Sequence, residues 1–183
     1  MLSREEALSL VKKHVKNDKL VKHMLAVEAI MRGLAKHLGE DAELWGLTGL
    51  VHDVDYELTK DKPERHGLVS VEILEGKVPE EVLNAVKAHN PLTGNTPKTK
   101  MEKALVAADS ISGLLIACAL VMPNKKLSEV KLKTVKNKFK AKDFARGASR
   151  ERILLCEEIG LEKEKFFEIA LKSLQEIADQ LGL

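Results

Sequence analysis

Apolar residues recur at helical spacing along nearly all of this chain, and no segment alternates apolar and polar residues as a half-buried strand does. The clearest stripe runs from Leu20 to Leu38, where apolar side chains repeat at i, i+3 and i+4 until Gly39. The spacing therefore predicts an all-α fold.

End signals divide the chain into a series of helices. Ser3, followed by Glu6 three residues later, is typical of a capping box and predicts the start of the first helix. The remaining stripes predict helices at 20–38, 41–54, 63–75, 79–89, 100–121, 149–159 and 162–181, with shorter ones in 125–148. The segment HNPLTGNTPKT (89–99) predicts a loop. No repeat or domain boundary is visible, so we expect a single domain over 1–183.

Length and composition restrict the class of protein. A chain of 183 residues with 44% hydrophobic residues fits one globular domain and excludes intrinsic disorder. Aromatic residues make up only 3%, which argues against a stacking surface for single-stranded nucleic acid. Cys118 and Cys156 lie in apolar runs and form neither a disulfide framework nor a CxxC site. They favour a reducing, cytoplasmic compartment.

The sequence predicts a soluble protein. The amino terminus lacks the basic and apolar regions of a signal peptide. The longest uninterrupted apolar run, 114–122, is nine residues, about half of what a bilayer requires. We therefore expect no membrane contact.

Positive charge is concentrated in one segment. The net charge is +2, but 125–152 contains eleven basic residues and three acidic ones. A basic segment in a nearly neutral chain indicates an anionic partner, and a solvated lysine-rich helix face is an equally good interpretation.

Several histidines and aspartates lie on inward faces or at the ends of separate predicted helices. They are His23, His52 with Asp53, His66, His89 and Asp109. A lone histidine on an apolar face is more often a hydrogen-bonded core residue, so the argument depends on the set. A buried carboxylate such as Asp109 costs several kcal/mol without a partner, and a divalent cation satisfies several such groups at once.

This donor set indicates mixed nitrogen and oxygen ligation. Imidazole and carboxylate ligands suit Mn, Fe, Ni, Co, Zn or Mg better than a metal that prefers thiolates. Six protein ligands exceed what one ion usually takes, whereas two ions bridged by one carboxylate would use all six. We therefore expect one or two divalent ions per chain.

The order His23, His52–Asp53, Asp109 resembles the HD-domain superfamily of metal-dependent phosphohydrolases, whose pattern is H…HD…D on an all-α bundle. GLVHDVD (49–55) is similar to the family's HD segment, and MEKALVAAD (101–109) is similar to the segment with the final aspartate. The resemblance covers about 20–125. It implies an HD-domain helical bundle as the metal-binding core and a helical extension at about 126–183.

The additional histidines sharpen the resemblance. His66 and His89 fall where binuclear members have two more ligands, as in bacterial HD hydrolases of diadenosine tetraphosphate and HD-type phosphodiesterases of cyclic dinucleotides. The resemblance then implies one ion held by His23, His52, Asp53 and Asp109, and a second held by Asp53, His66 and His89. The alternative is a single ion, with His66 a surface residue at a helix start.

Two departures leave the substrate open. The GYP signature of the cyclic-di-GMP phosphodiesterases is absent, and DYELTKDK (55–62) does not match the tetraphosphate hydrolases well. The resemblance therefore implies a reaction class: hydrolysis of a phosphoester or phosphoanhydride bond in a small nucleotide or related phosphate compound, by a metal-activated water.

Other residues are candidates for roles in this reaction. Asp53 would be catalytic through the metal site. If only one ion binds, Asp55 becomes a candidate base. An equally good interpretation is that Asp55 is only a polar residue at a helix end. We expect cations that bind the substrate's phosphate, and the candidates are Arg65, Lys136, Lys142, Arg146 and Arg150. FARGASR (144–150) leads into a predicted helix whose first N–H groups suit an anion.

Alternative functions remain at this point. They are a mononuclear 5′-nucleotidase-like enzyme, a non-catalytic module that binds nucleic acid or nucleotides around a structural metal, and a di-iron oxygenase. The expected partner is a small anionic phosphate substrate. Nucleic acid is not expected, and a homo-oligomer is compatible with the sequence.

Overall fold

The computed structural model describes residues 1–183 and is 70% helical without strands, which confirms the all-α prediction. The α-helices are α1 Arg4–His14, α2 Asp18–Leu38, α3 Ala42–Val51, α4 Leu68–Leu74, α5 Glu80–Ala88, α6 Lys100–Leu120, α7 Leu132–Lys140, α8 Arg150–Ile153, α9 Lys163–Glu176 and α10 Ala178–Leu181. Short 3-10 helices lie at Tyr56–Leu58, Pro63–Arg65, Pro91–Thr93, Leu127–Glu129 and Leu154–Ile159.

Local signals place several helix ends as predicted. The Ser3 side chain accepts a hydrogen bond from the Glu6 amide and begins α1. Gly39 has a left-handed conformation with φ of 73° and ends α2. Thr99 and Glu102 form a reciprocal capping box at the start of α6.

Two predicted helices differ in ways that matter for the site. The helix predicted over 63–75 is broken: Pro63–Arg65 is a 3-10 turn, His66 is extended, and Gly67 has φ of 93° before α4 begins. A side chain at Gly67 would also meet the carbonyl of Val86 at 3.1 Å. The third helix ends at Val51, three residues earlier than predicted. Because α3 ends early and the next predicted helix is broken, the polar side chains that follow Val51 and Arg65 do not lie on regular helix surfaces.

The carboxyl-terminal helices are also shorter than predicted. The helix expected over 149–159 is α8 followed by the 3-10 helix Leu154–Ile159, closed by Gly160 in a left-handed conformation. The helix expected over 162–181 divides into α9 and α10 around Ile177.

Helices α2 and α6 form the centre of the bundle. They pack on each other, α3 packs along α2, and α8 and α9 pack on α6. The larger hydrophobic cluster includes buried residues of α2, α6 and α9, and a smaller one includes residues of α1, α3 and α5. By length and composition α6 qualifies as a membrane span, yet 67% of its most apolar window is buried inside the fold. In this structure α6 is a core helix.

Candidate metal centre

Six side chains from five parts of the chain meet beside α2 and α6. His23 comes from α2 and Asp109 from α6. His52 and Asp53 follow the end of α3, His66 lies in the break before α4, and His89 caps the end of α5.

Close packing of α2 and α3 positions the first histidines. A side chain at Gly49 would lie 2.9 Å from backbone atoms of Val27 and Glu28, so glycine permits this approach. The rings of His23 and His52 are consequently 5.2 Å apart between centroids. His52 is completely buried, and Asp53 is nearly so.

The first half of the cluster surrounds one oxygen of Asp53. Its Oδ2 atom lies 3.4 Å from Nε2 of both His23 and His52. The Oδ1 atom of Asp109 lies 3.0 Å from Nε2 of His23 and 3.6 Å from Nε2 of His52. These four residues offer ligand atoms that all lie within 4.8 Å of one another.

The second half surrounds the other oxygen of the same carboxylate. Asp53 Oδ1 lies 3.1 Å from Nε2 of His66 and 3.2 Å from Nε2 of His89. Ligand atoms of these three residues also lie within 4.8 Å of one another. The two oxygens of Asp53 therefore face different groups of histidines, as a bridging carboxylate would.

The Nδ1 atoms of the four histidines have partners outside the cluster. Nδ1 of His52 lies 2.7 Å from the Gly49 carbonyl, and Nδ1 of His89 contacts the Val86 carbonyl. Since a carbonyl only accepts, these Nδ1 atoms donate, and in the neutral ring that binds a metal each Nε2 keeps a lone pair.

His66 and His23 follow the same pattern. Nδ1 of His66 donates to Asp55 Oδ1 at 2.8 Å, and Nδ1 of His23 donates to the Ser112 hydroxyl at 3.3 Å, while that hydroxyl donates to the Asp109 carbonyl. The cluster thus gathers four imidazole lone pairs and two carboxylates. Nε2 of His52 is buried without a hydrogen-bond partner, which a bound cation would correct. The residues present fit divalent metal ions.

Charges inside the cluster are strongly coupled. Burial lowers the pKa of His23, but Asp109 and Asp53 outweigh it and raise that pKa to about 9. Burial likewise opposes charge on His66, whose pKa rises to about 9 beside Asp53 and Asp55. Burial raises the pKa of Asp53, but the adjacent histidines hold it well below its usual range. The carboxylates thus remain ionised and attract positive charge.

Asp55 does not occupy the position of a base. Its carboxylate is completely buried and accepts hydrogen bonds from His66 Nδ1, the Gly67 amide at 2.7 Å and the Ser70 amide at 2.8 Å. Burial raises its pKa, but His66 and these amides outweigh the effect and lower it. Both of its oxygens accept from these donors and the residue does not line the cavity, which argues against the predicted role as a catalytic base. Asp55 instead orients the His66 ring.

None of the predicted phosphate-binding cations lines the site. Arg65 pairs with Glu72, Lys136 pairs with Glu164, and Arg146 is largely exposed and pairs with Asp143, while Lys142 is exposed.

Arg150 has a structural role. Its guanidinium donates to six backbone carbonyls at 2.6–3.0 Å. They belong to Lys138, Phe139, Ala141, Phe144, Ala145 and Ala148. The prediction that Arg150 binds phosphate is wrong, because its donors hold the turn after α7 together.

A cavity of about 300 Å³ opens onto the cluster. All clustered residues except His52 line it, together with Leu20, Tyr56 and Asn90. Asn90 donates to the carbonyls of Pro63 and His66 at 2.8 and 2.9 Å, so it fixes the segment that carries His66.

Sequence reasoning missed Tyr56, which is 43% exposed and meets His66 edge-on at 5.4 Å between ring centroids. It also missed Arg152. Its Nη2 atom donates to the His89 carbonyl at 2.7 Å. The only sequence signal for either residue is its nearness to a residue already singled out.

Comparison with known proteins gives one family and one relative. Residues 20–114, which include all six clustered residues, match the family model for the HD domain. The chain is also similar to Ribonuclease Y of Latilactobacillus sakei subsp. sakei (strain 23K), with 29% identity over 167 residues. That alignment covers 88% of this chain but 32% of the relative, so the chain spans about a third of the relative's length. No solved structure matches the chain.

Proposed function

This chain belongs to the HD domain family, and from that premise we propose that it hydrolyses phosphate esters or anhydrides at a site for two divalent cations. His23, His52, Asp53 and Asp109 would hold one cation. Asp53, His66 and His89 would hold the other. Mn, Fe, Ni, Co, Zn and Mg are all compatible with these donors.

The observation that carries the proposal is the position of Asp53 between two sets of imidazole lone pairs. One carboxylate oxygen faces His23 and His52, and the other faces His66 and His89, all at 3.1–3.4 Å. Bound cations would lower the pKa of water and neutralise charge on phosphoryl oxygens.

The protein's own residues supply positioning. Hydrogen bonds from Nδ1 to Gly49, Asp55 and Val86 fix the rings of His52, His66 and His89 with Nε2 directed inward. The site lies beneath a cavity of about 300 Å³, and such a volume suits a small substrate. We propose a small nucleotide or a related phosphate compound as that substrate.

The test is hydrolysis by metal-stripped protein reloaded with one metal at a time. Substrates should include p-nitrophenyl phosphate, bis(p-nitrophenyl) phosphate, nucleoside monophosphates, dinucleoside polyphosphates and cyclic dinucleotides. We expect metal-dependent release of product that Asp53→Asn abolishes, whereas Asp61→Asn, at an exposed acidic residue, serves as the control. Absence of hydrolysis by protein with a full metal content would overturn the proposal.

The same preparations separate the alternative functions. Activity with about one ion per chain, limited to nucleoside monophosphates, would favour the mononuclear enzyme. Oxygen consumption by iron-loaded protein would indicate an oxygenase. Salt-sensitive nucleic-acid binding that survives Asp53→Asn would indicate a binding module with a structural metal.

A second candidate substrate is RNA. Similarity to a protein named Ribonuclease Y and the excess of eight positive charges in 125–152 favour it. Under this alternative the same cluster would cleave a phosphodiester. Metal-dependent cleavage of a single-stranded RNA, with no hydrolysis of small nucleotides, would support it over the first candidate.

A further inference from the structure

We propose that Arg152 binds the phosphate group of the substrate, an inference that rests on the proposed phosphohydrolase function. Its backbone is fixed, because its amide donates to Ser149 Oγ at 3.2 Å at the start of α8 and the next residue, Ile153, is completely buried. The side chain extends from this anchor to the backbone of His89 and towards the carboxylate of Asp109, two residues that line the metal-site cavity.

Arg152 contacts two residues that line the cavity. Nη2 donates to the carbonyl oxygen of His89 at 2.7 Å. The same atom lies 4.0 Å from Oδ2 of Asp109, which is beyond hydrogen-bond distance. Asp109 presents its other oxygen to His23 and His52, so Arg152 faces the side of the carboxylate that points away from those histidines.

Most of the donors on Arg152 remain available. A guanidinium carries five N–H groups, and the side chain of Arg152 makes one hydrogen bond, to the His89 carbonyl. The side chain is 29% exposed, so an anion can reach it. Arg150, two residues earlier, has all its donors directed at backbone carbonyls. A cation with a free planar fork beside a metal site is suited to a phosphate with two accessible oxygens.

A purely structural role is the competing explanation, since the bond to His89 also closes the end of α5. The two roles predict different effects of removing the positive charge at position 152. A phosphate-binding role requires positive charge and a fork of donors, whereas a structural role requires only a donor to the His89 carbonyl. Glutamine and lysine at this position separate these requirements.

The experiment is calorimetric titration of inorganic phosphate into the manganese-loaded full chain. We expect Arg152→Gln to weaken phosphate binding about 10- to 100-fold, the effect of removing a charge-assisted hydrogen bond. Metal content and melting temperature should match the wild type. The control is Lys133→Gln, which removes one charge from an exposed residue of α7 and should leave phosphate binding unchanged. Unchanged phosphate affinity in Arg152→Gln would overturn the proposal.

Arg152→Lys decides the case in which Arg152→Gln loses metal or stability. Lysine keeps the charge and one donor but lacks the fork. If it restores metal content and melting temperature while its phosphate affinity remains several-fold lower than that of the wild type, the proposal stands. If it restores phosphate affinity completely, the planar fork contributes nothing and the proposed contact with two phosphate oxygens fails.

Failure of the proposed function is distinguishable. A wild-type protein that hydrolyses phosphate esters, with Arg152→Gln equal to it in KM and phosphate affinity, overturns the role of Arg152 alone. A metal-loaded wild type that neither hydrolyses a phosphate compound nor binds phosphate overturns both proposals.

Discussion

The Nε2 atoms of His66 and His89 lie 3.1 Å apart. Because each ring donates through Nδ1 to another group, both Nε2 atoms of the neutral rings present lone pairs to each other and to Asp53 Oδ1. Lone pairs this close repel unless a proton or a cation lies between them. The pair therefore defines a position for positive charge that is separate from the one between His23 and His52.

We predict that His66→Ala removes one ion and leaves the other. The expected change is from about two ions per chain to about one, because His23, His52, Asp53 and Asp109 still offer four ligands. Elemental analysis of protein purified without chelator measures it. His37→Ala, at an exposed histidine, should change nothing. An unchanged metal content in His66→Ala would show that His66 is not a ligand.

Asp55→Asn should weaken the binding of the ion at Asp53, His66 and His89, although it removes none of these ligands. The carboxylate accepts from His66, Gly67 and Ser70, and an amide provides only one oxygen for these donors. Loss of a group that orients a metal-binding histidine typically costs 10- to 100-fold in affinity, so we expect an effect of about that size. Manganese titration of stripped protein measures it, with Asp61→Asn as the control. Equal affinity in both variants would contradict this role.

Metal removal should lower thermal stability. Without cations, Nε2 of His52 has no partner, and the buried Asp53 carboxylate lies beside the half-buried carboxylate of Asp109. An ion present at about 100 times its dissociation constant adds about 2.7 kcal/mol to the unfolding free energy. For a chain of this length that corresponds to a rise of roughly 5–10 °C in Tm. Differential scanning calorimetry before and after chelation tests this, and Asp53→Asn should show almost no response to chelator.

The site residues that sequence predicts best lie on single regular helices. His23 on α2 and Asp109 on α6 face inward, as the apolar stripes predict, because one helix period fixes the direction of a side chain. The periodicity places His66 inside a helix, but the structure has it in an extended break at Gly67. Its hydrogen bond to Asp55 depends on that break, so helical spacing alone does not reveal it.

The roles of the two arginines in α8 could not be predicted from the sequence. Arg150 and Arg152 carry the same charge and lie two residues apart, yet Arg150 holds a turn and Arg152 reaches the His89 carbonyl beside the metal cluster. This α-helix has only four residues and continues as a 3-10 helix. The directions of its side chains therefore depend on tertiary contacts with α6 and the turn after α7, and no local pattern encodes them.

Arg150→Ala should destabilise the fold. The guanidinium donates to six carbonyls between Lys138 and Ala148, and its loss leaves those of Phe139, Phe144 and Ala148 without a hydrogen-bond partner. We expect a loss of about 3–5 kcal/mol in unfolding free energy, since bonds to a charged group contribute about 1.5–3 kcal/mol and are not additive. Urea denaturation measures it. Arg146→Ala, at an exposed arginine, should stay within about 0.5 kcal/mol of the wild type.

Both thiols should be unreactive in the folded protein. Cys118 and Cys156 are completely buried, and burial raises their pKa values to about 11 and about 12. A raised thiol pKa means less thiolate at a given pH, so near pH 8 only about one molecule in a thousand would carry the Cys118 thiolate, the form that reacts. Ellman's reagent should detect almost no thiol in native protein at about pH 8 and two per chain after unfolding in guanidinium. Rapid reaction of one thiol before unfolding would show that α6 or the Leu154–Ile159 turn opens locally, since these segments carry the two cysteines.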